Sequence, residues 1–194
     1  DKSRRAESYL TNDLTLDWNR CEGQRYFLNR AKEFGCESIV LFSNTPPVQY
    51  TQNGKDFSNQ GGVSNLKNDC YDDFAAYMGD VAQYYIDKGY PVTHISPVNE
   101  PQYNWDGGQE GSGWTNDEVA RLACELDDAL TERNLSTDIL LGESGDWEYL
   151  YKTKDDANRS NVMSAFFTPG SSAYVGDLNH VKKLICGHSY WTDG

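Results

Sequence analysis

Within residues 93–105, read Thr-His-Ile-Ser-Pro-Val-Asn-Glu-Pro-Gln-Tyr-Asn-Trp, a carboxylic acid, Glu100, sits between a carboxamide, Asn99, and two aromatic rings, Tyr103 and Trp105. An acid beside flat apolar faces suits a sugar ring, which has one polar edge and one apolar face. The front half, residues 94–98, has the alternation and β-branched content of a strand, and Pro101 is expected to stop it once Asn99 and Glu100 have been delivered. Polar groups at a strand's C-terminal end are where open α/β sheets and α/β barrels do their chemistry. An acid held there is partly desolvated, which favours its protonated form and suits it to protonate a leaving group. The neighbouring Asn99 is placed to hold a substrate hydroxyl. Asn44, Glu143, His188 and Tyr190 are expected to converge on the same rim from the flanking strands.

Other chemistries fit less well. Gly142-Glu-Ser-Gly-Asp resembles a nucleophile elbow, but Asp146 stands where G-x-S-x-G needs glycine, so Ser144 is not read as a nucleophile. The glycine-rich run 107–113 follows a strand but has neither the Lys-Ser/Thr of a P-loop nor the G-x-G-x-x-G order of a dinucleotide site. His94 begins its predicted strand, far from the chemical end, and reads as a packing histidine. Asn134-Leu-Ser and Asn158-Arg-Ser fit the glycosylation pattern, one that arises often by chance.

The elements that must position these residues follow from periodicity. A first amphipathic helix is expected over about residues 18–34, with Tyr26, Phe27, Ala31 and Phe34 as its apolar stripe and Gly35 as its stop. A buried strand over 38–42 follows, ended by Pro46 and Pro47. The polar run 52–68 reads as a surface loop. Phe74, Tyr77, Met78, Val81 and Tyr85 mark a core-facing helix closed by Gly89. Thr115 and Glu118 form a capping box ahead of a helix carrying Val119, Leu122, Ala123, Leu126 and Leu130. A strand over 138–141 delivers Glu143, a helix is expected around 173–183, and a strand over 184–191 carries His188 and Tyr190. Strands alternating with helices imply a parallel sheet in an α/β architecture. Only about four βα units are visible, whereas a barrel needs eight strands and about 250 residues. The chain reads as either a small open sheet or a piece of a barrel.

Composition narrows the partners. With 17 Lys+Arg against 30 Asp+Glu the net charge is -13, which repels nucleic acid and anionic membranes. No run approaches the roughly 18 apolar residues of a membrane span. Cys21, Cys36, Cys70, Cys124 and Cys186 form no C-x-x-C pair and do not cluster with the three histidines, so no structural zinc is expected. Most of the cysteines read as small buried hydrophobes, and their odd number forbids a complete disulfide framework while leaving one or two bridges open.

Taken in order, Arg5-Ala-Glu-Ser, Asp17-Trp-Asn with Gly23-Gln, Phe42-Ser-Asn-Thr-Pro-Pro-Val, Ser96-Pro-Val-Asn-Glu-Pro-Gln-Tyr-Asn-Trp, Gln109-Glu-Gly and Gly187-His-Ser-Tyr-Trp resemble glycoside hydrolase family 30, closest to its endo-β-1,6-galactanase-like members. The resemblance implies a retaining mechanism on a TIM (β/α)8 barrel with an attached β-sandwich. It implies that residues 1–194 cover about the third to sixth barrel strands with their helices, incomplete at both ends. Glu100 is then the general acid/base and Asn99 a contact to the sugar in the −1 position. The nucleophile Glu is expected beyond Gly194. Glu143 is read as a carboxylate that touches substrate or supports a residue that does, and Tyr190 as a tyrosine orienting the nucleophile. Asn44, Tyr103, Trp105, Glu110 and His188 are expected to shape sugar subsites, with Trp105 as a stacking platform.

The implied partner is an oligosaccharide or polysaccharide, without metal or organic cofactor. The implied location is secreted, periplasmic or cell-surface, although the N-terminal residues read as no signal peptide. Two other readings stand beside this one: a non-catalytic carbohydrate-binding protein on the same barrel, and an unrelated small α/β domain.

Overall fold

The computed structural model describes residues 6–190. Within these residues five α-helices and four strands follow one another, each strand separated from the next by at least one helix: α1 (Glu22–Glu33), β1 (Ile39–Phe42), α2 (Tyr71–Asp87), β2 (Val92–Ser96), α3 (Asn116–Glu132), β3 (Asp138–Ser144), α4 (Glu148–Tyr151), α5 (Val162–Phe167) and β4 (Val181–Gly187). All strand pairs are parallel and lie in the order β1-β2-β3-β4, with Phe42 opposite Ser96, Ile95 opposite Ile139 and Leu141 opposite Ile185. Right-handed crossovers that always add the next strand to the same edge keep the helices on one face. A doubly wound sheet must reverse that order. The chain is therefore an arc of a (β/α)8 barrel.

Periodicity places the core under α2 and α3. Phe74, Ala75 and Ala82 of α2 and Leu122, Leu126 and Leu130 of α3 are fully buried against Ile95, Ile139 and Leu141. Each buried Leu or Phe stabilises the fold by about 1.5–3 kcal/mol relative to an exposed one. The capping box is present: Thr115 accepts from the Glu118 amide, and the Glu118 carboxylate accepts from the Thr115 amide at 2.8 Å. That carboxylate also accepts from the Ser64 amide, tying α3 to the polar loop before α2. The loop is ordered by single bridges, Thr51 to Leu66 and Phe57 to Gly111. Gly35 and Gly89, both at φ 74°, follow α1 and α2 as the expected stops.

Several expectations are corrected. No helix spans 173–183; Gly176 and Asp177 break it into turns, and β4 already begins at Val181. That strand ends at Gly187, so His188 and Tyr190 lie beyond it, and Trp191 falls outside the described residues. β2 ends at Ser96 rather than Val98 because Pro97 has no N–H to continue the ladder. His94 is the middle residue of β2, with Nδ1 2.8 Å from Thr93 Oγ1. Of the five cysteines only Cys21 is buried, and all are free.

The largest departure concerns the opposite face of the sheet. Val40 and Phe42 of β1 are 45% and 48% exposed, and Leu184 of β4 is 53% exposed. α1 buries no residue; its aromatic stripe points outward, with Phe27 72% and Phe34 80% exposed. The apolar pattern of these elements is real, but the described chain covers neither face.

Candidate active site

The site is built on the C-terminal end of β3. A residue other than glycine at 142, where φ is 114°, would drive its Cβ into the Cys186 carbonyl of β4. This close approach coincides with a register shift between Gly142 and Ser144. The resulting bulge leaves Glu143 in the left-handed region at φ 45°, 8% exposed. Glu100 is held in the same way: its φ is 39°, its N–H donates to the Glu143 carbonyl at 2.9 Å, and its own carbonyl accepts from the Tyr103 amide at 3.0 Å. Left-handed backbone costs a non-glycine residue about 1–2 kcal/mol, so both carboxylates are held in place by their surroundings.

His188 joins them. Its amide donates to the Ser144 carbonyl at 2.7 Å, which anchors the ring just past β4. Nδ1 lies 2.7 Å from Glu100 Oε1 and Nε2 lies 2.8 Å from Glu143 Oε2. The other Glu143 oxygen, Oε1, accepts from Ser96 Oγ at 2.8 Å and from Cys186 Sγ at 3.0 Å. Burial and the Glu143 charge push the Cys186 thiol up to about 12, so it stays protonated as the donor. Burial lowers the His188 pKa, but its hydrogen bonds to Glu100 and Glu143, together with their charges, outweigh this and hold it above the ordinary value. An imidazolium between two buried carboxylates neutralises part of a charge that would otherwise be costly.

Around this trio Asn99 is buried with its Oδ1 lacking any protein partner. Trp105 donates its indole N–H to the Glu100 carbonyl at 3.1 Å and packs on Gly111, where a Cβ would enter its ring. Tyr103, tilted against Trp105 at 5.8 Å, is the more open ring at 40% exposure. Tyr190 meets the His188 ring edge-on at 6.0 Å.

Asn44 and Glu110 are not brought to the carboxylates. Both line a cavity of about 1040 Å³ beside α1 and β1, whose wall includes none of Glu100, Glu143 and His188. Glu110 Oε2 accepts there from the Ala6 amide at 2.8 Å. This cavity follows the uncovered apolar face of the sheet, and the Glu100, Glu143 and His188 cluster lies outside it. Ser144 is fully buried and its hydroxyl accepts from Gln102 Nε2 at 2.9 Å, so it faces no base.

Sequence reasoning passed over the supporting residues. Cys186 lies two residues before His188, and strand alternation turns both to the same face; Ser96 ends β2 and no spacing marks it. Arg159 donates to the Gln102 carbonyl at 2.8 Å and to Asn104 Oδ1 at 2.7 Å, clamping the loop that bears Tyr103 and Trp105. Lys154 bridges Asp146 at 2.5 Å and Glu148 at 3.0 Å, and the hydrogen bond from Lys154 holds the Asp146 carboxyl below its usual range. No local motif announces either cation. Among the described residues no group of three or more His, Cys, Asp and Glu side chains is arranged to hold a metal ion. Among the same residues no helix is long and apolar enough to cross a membrane.

The whole chain, residues 1–194, matches the profile of O-glycosyl hydrolase family 30. An endo-β-1,6-galactanase from Hypocrea rufa is 28% identical over 149 residues, which are 74% of this chain and 31% of that protein. Among solved structures, a conserved exported protein from Bacteroides fragilis superposes with a TM-score of 0.92 at 31% identity, over 97% of this chain and 39% of that one. An endo-β-1,6-glucanase superposes at 0.70 with 17% identity, over 93% and 39% of the two chains. A family 30 subfamily 8 xylanase from Clostridium acetobutylicum superposes at 0.62 with 21% identity, over 90% and 39%. The last two likenesses concern the fold. The chain spans well under half the length of each of these proteins.

Proposed function

The chain belongs to O-glycosyl hydrolase family 30, and on that premise we propose that it is the central part of a retaining glycosidase acting on β-linked glycans, with Glu100 as general acid/base. The observation that carries this reading is the pinned, nine-tenths buried Glu100 beside a buried, unpartnered Asn99 Oδ1 and the open ring of Tyr103. Glu100 protonates the glycosidic oxygen while a second carboxylate, about 5 Å away, attacks the anomeric carbon; Glu100 then deprotonates the water that releases the sugar.

Glu143 is not that second carboxylate in this reading. Both of its oxygens are already engaged, by Ser96 and Cys186 on one side and His188 on the other. The nucleophile is assigned to a Glu beyond Gly194. Asn99 holds a sugar hydroxyl, Tyr103 and Trp105 offer the apolar ring faces, and Tyr190 orients the nucleophile. Asn44 and Glu110 serve more distant sugar units.

A β-1,6-linked galactan is the proposed substrate, after the Hypocrea rufa relative. The net charge of -13 favours a neutral glycan over a polyanion. A secreted or cell-surface location and an attached β-sandwich complete the proposal, the former after the Bacteroides fragilis exported protein.

The test is turnover of β-1,6-galactan by the protein that carries this chain, with the anomeric form of the first product read by NMR. Retained configuration, and a loss of about 10²–10⁴-fold in rate on Glu100→Gln, are expected. Undiminished turnover in that variant removes Glu100 from the mechanism.

A further inference from the structure

We propose that Glu143 is a positioning residue that acts on Glu100 through His188, and that the imidazole and the two carboxylates hold one transferable proton in common. The inference rests on the reading of Glu100 as acid/base and adds how its proton is kept in place.

The argument starts from geometry. A single imidazole has both nitrogens within hydrogen-bond distance of different carboxylates, Glu100 at 2.7 Å and Glu143 at 2.8 Å. Glu143 cannot turn away, because Ser96 and Cys186 donate to its other oxygen and its backbone lies in the bulge that Gly142 permits. As an anion it can only accept, so Nε2 must carry hydrogen, and Nδ1 is left facing Glu100. The shared proton then has two resting places, on Nδ1 as an imidazolium or on Glu100 Oε1 with a neutral ring. In either case the Glu143 charge opposes its loss.

When the glycosidic C–O bond breaks, the proton departs on the leaving-group oxygen. It is restored when Glu100 takes a proton from the attacking water. Glu143 touches neither the substrate nor that oxygen; its effect is the pH to which the pair stays loaded.

The charged and titratable surroundings leave this assignment intact. Glu100 meets the ring from the loop after β2, Glu143 from β3 and Tyr190 from the extension of β4, while Cys186 of β4 meets Glu143 and the Tyr103 hydroxyl feels the Glu100 charge. Asp146, at the end of β3, is already committed to Lys154. Tyr103, raised by burial and next by the Glu100 charge, and Cys186, raised by burial and next by the Glu143 charge, both remain protonated near neutrality. Among the described residues, His188 is the group that bonds to both carboxylates and can exchange a proton with them in that range.

The experiment pairs two readouts on the protein that carries this chain. Selective ¹⁵N-histidine NMR, assigned with His188→Gln, gives the His188 titration without requiring turnover; the pH profile of kcat/KM gives the basic limb. In the wild type His188 is expected to titrate clearly above about 6.5. In Glu143→Gln its midpoint and the basic limb are expected to fall together by about one to three pH units, the effect of losing one close opposite charge. Glu143→Asp, which keeps the charge, is expected to recover at least half of that displacement. A wild-type midpoint at or below the ordinary value overturns the proposal whether or not any variant folds. So does a variant slowed equally at every pH with its His188 midpoint unmoved. If the wild type turns over no glycan, the glycosidase reading fails, and the titration still decides whether Glu143 holds the proton on His188.

Discussion

Arg159 donates to the Asn104 carboxamide at 2.7 Å across 55 residues of sequence. The same guanidinium nitrogen reaches the Gln102 carbonyl at 2.8 Å. The segment bearing Tyr103 and Trp105 is thus tied from outside by a cation on the connection between α4 and α5. With its side chain only 15% exposed, Arg159 makes these bonds largely out of water. Arg159→Ala is expected to cost about 1.5–3 kcal/mol of stability, the range for hydrogen bonds to a charged group. Urea denaturation measures that cost. Glycan KM is expected to rise more than kcat falls, since the loop binds and does not react.

Gly111 gives a sharper test of the platform. A methyl group there enters the Trp105 indole, so Gly111→Ala must push the ring off its seat and break its bond to the Glu100 carbonyl. Overpacking of this kind costs about 1–3 kcal/mol. A changed tryptophan fluorescence maximum together with weakened glycan binding is the expected outcome; an unchanged spectrum would show that Trp105 has another seat.

Leu126 in α3 is fully buried, and Leu126→Ala is expected to destabilise by about 2–5 kcal/mol through lost contacts and a cavity. Thr115→Ala removes one bond of the capping box and is expected to cost about 0.5–2 kcal/mol. Denaturation midpoints rank the two, and a larger effect at Thr115 would contradict the core assignment.

Stability should also depend on pH through His188. Its folded pKa is raised, so its favourable contribution is fully present below the unfolded value of about 6.5 and is lost as pH rises through the higher folded value. The difference in melting temperature between wild type and His188→Gln is therefore expected to be largest near pH 6 and to shrink towards pH 8.5. A difference that grows with pH would reverse the sign and exclude an imidazolium.

The uncovered apolar side chains predict the behaviour of the 194-residue chain on its own. Phe27, Phe34, Val40, Phe42 and Leu184 are each more than two-fifths exposed, and such surface drives association. The isolated chain is expected to bind a hydrophobic dye and to associate with rising concentration. Phe27→Ser with Phe34→Ser should reduce both; light scattering reports the second.

The α/β alternation was legible because α2 and α3 carry long apolar stripes that face one core, and because Thr115 and Glu118 mark a helix start by side-chain chemistry alone. The stretch 173–183 misled for a local reason: its apolar residues fall at helical spacing, yet Gly176 and Asp177 favour a turn and Val181 is claimed by pairing with Ile139. The stripe of α1 was readable but its burial was not, since burial depends on what covers it. At the site, Glu100 and Glu143 were visible as strand-end acids. That His188 would touch both was not, because three connections from different parts of the chain must converge within hydrogen-bond distance. The strain at Gly142, Glu143 and Glu100 belongs to that convergence and leaves no mark in composition.

The order of the strands governs how the sheet can be made. β2, β3 and β4 each pair with the strand immediately before them in the sequence, so each finds a partner already made. The sheet can lengthen one edge at a time as the chain leaves the ribosome, with α2 and α3 closing over each new pair before the next arrives. The proton-holding trio is the last thing completed on this path: Glu100 and Glu143 are in place with β2 and β3, and His188 docks between them only after β4 has zipped onto the edge.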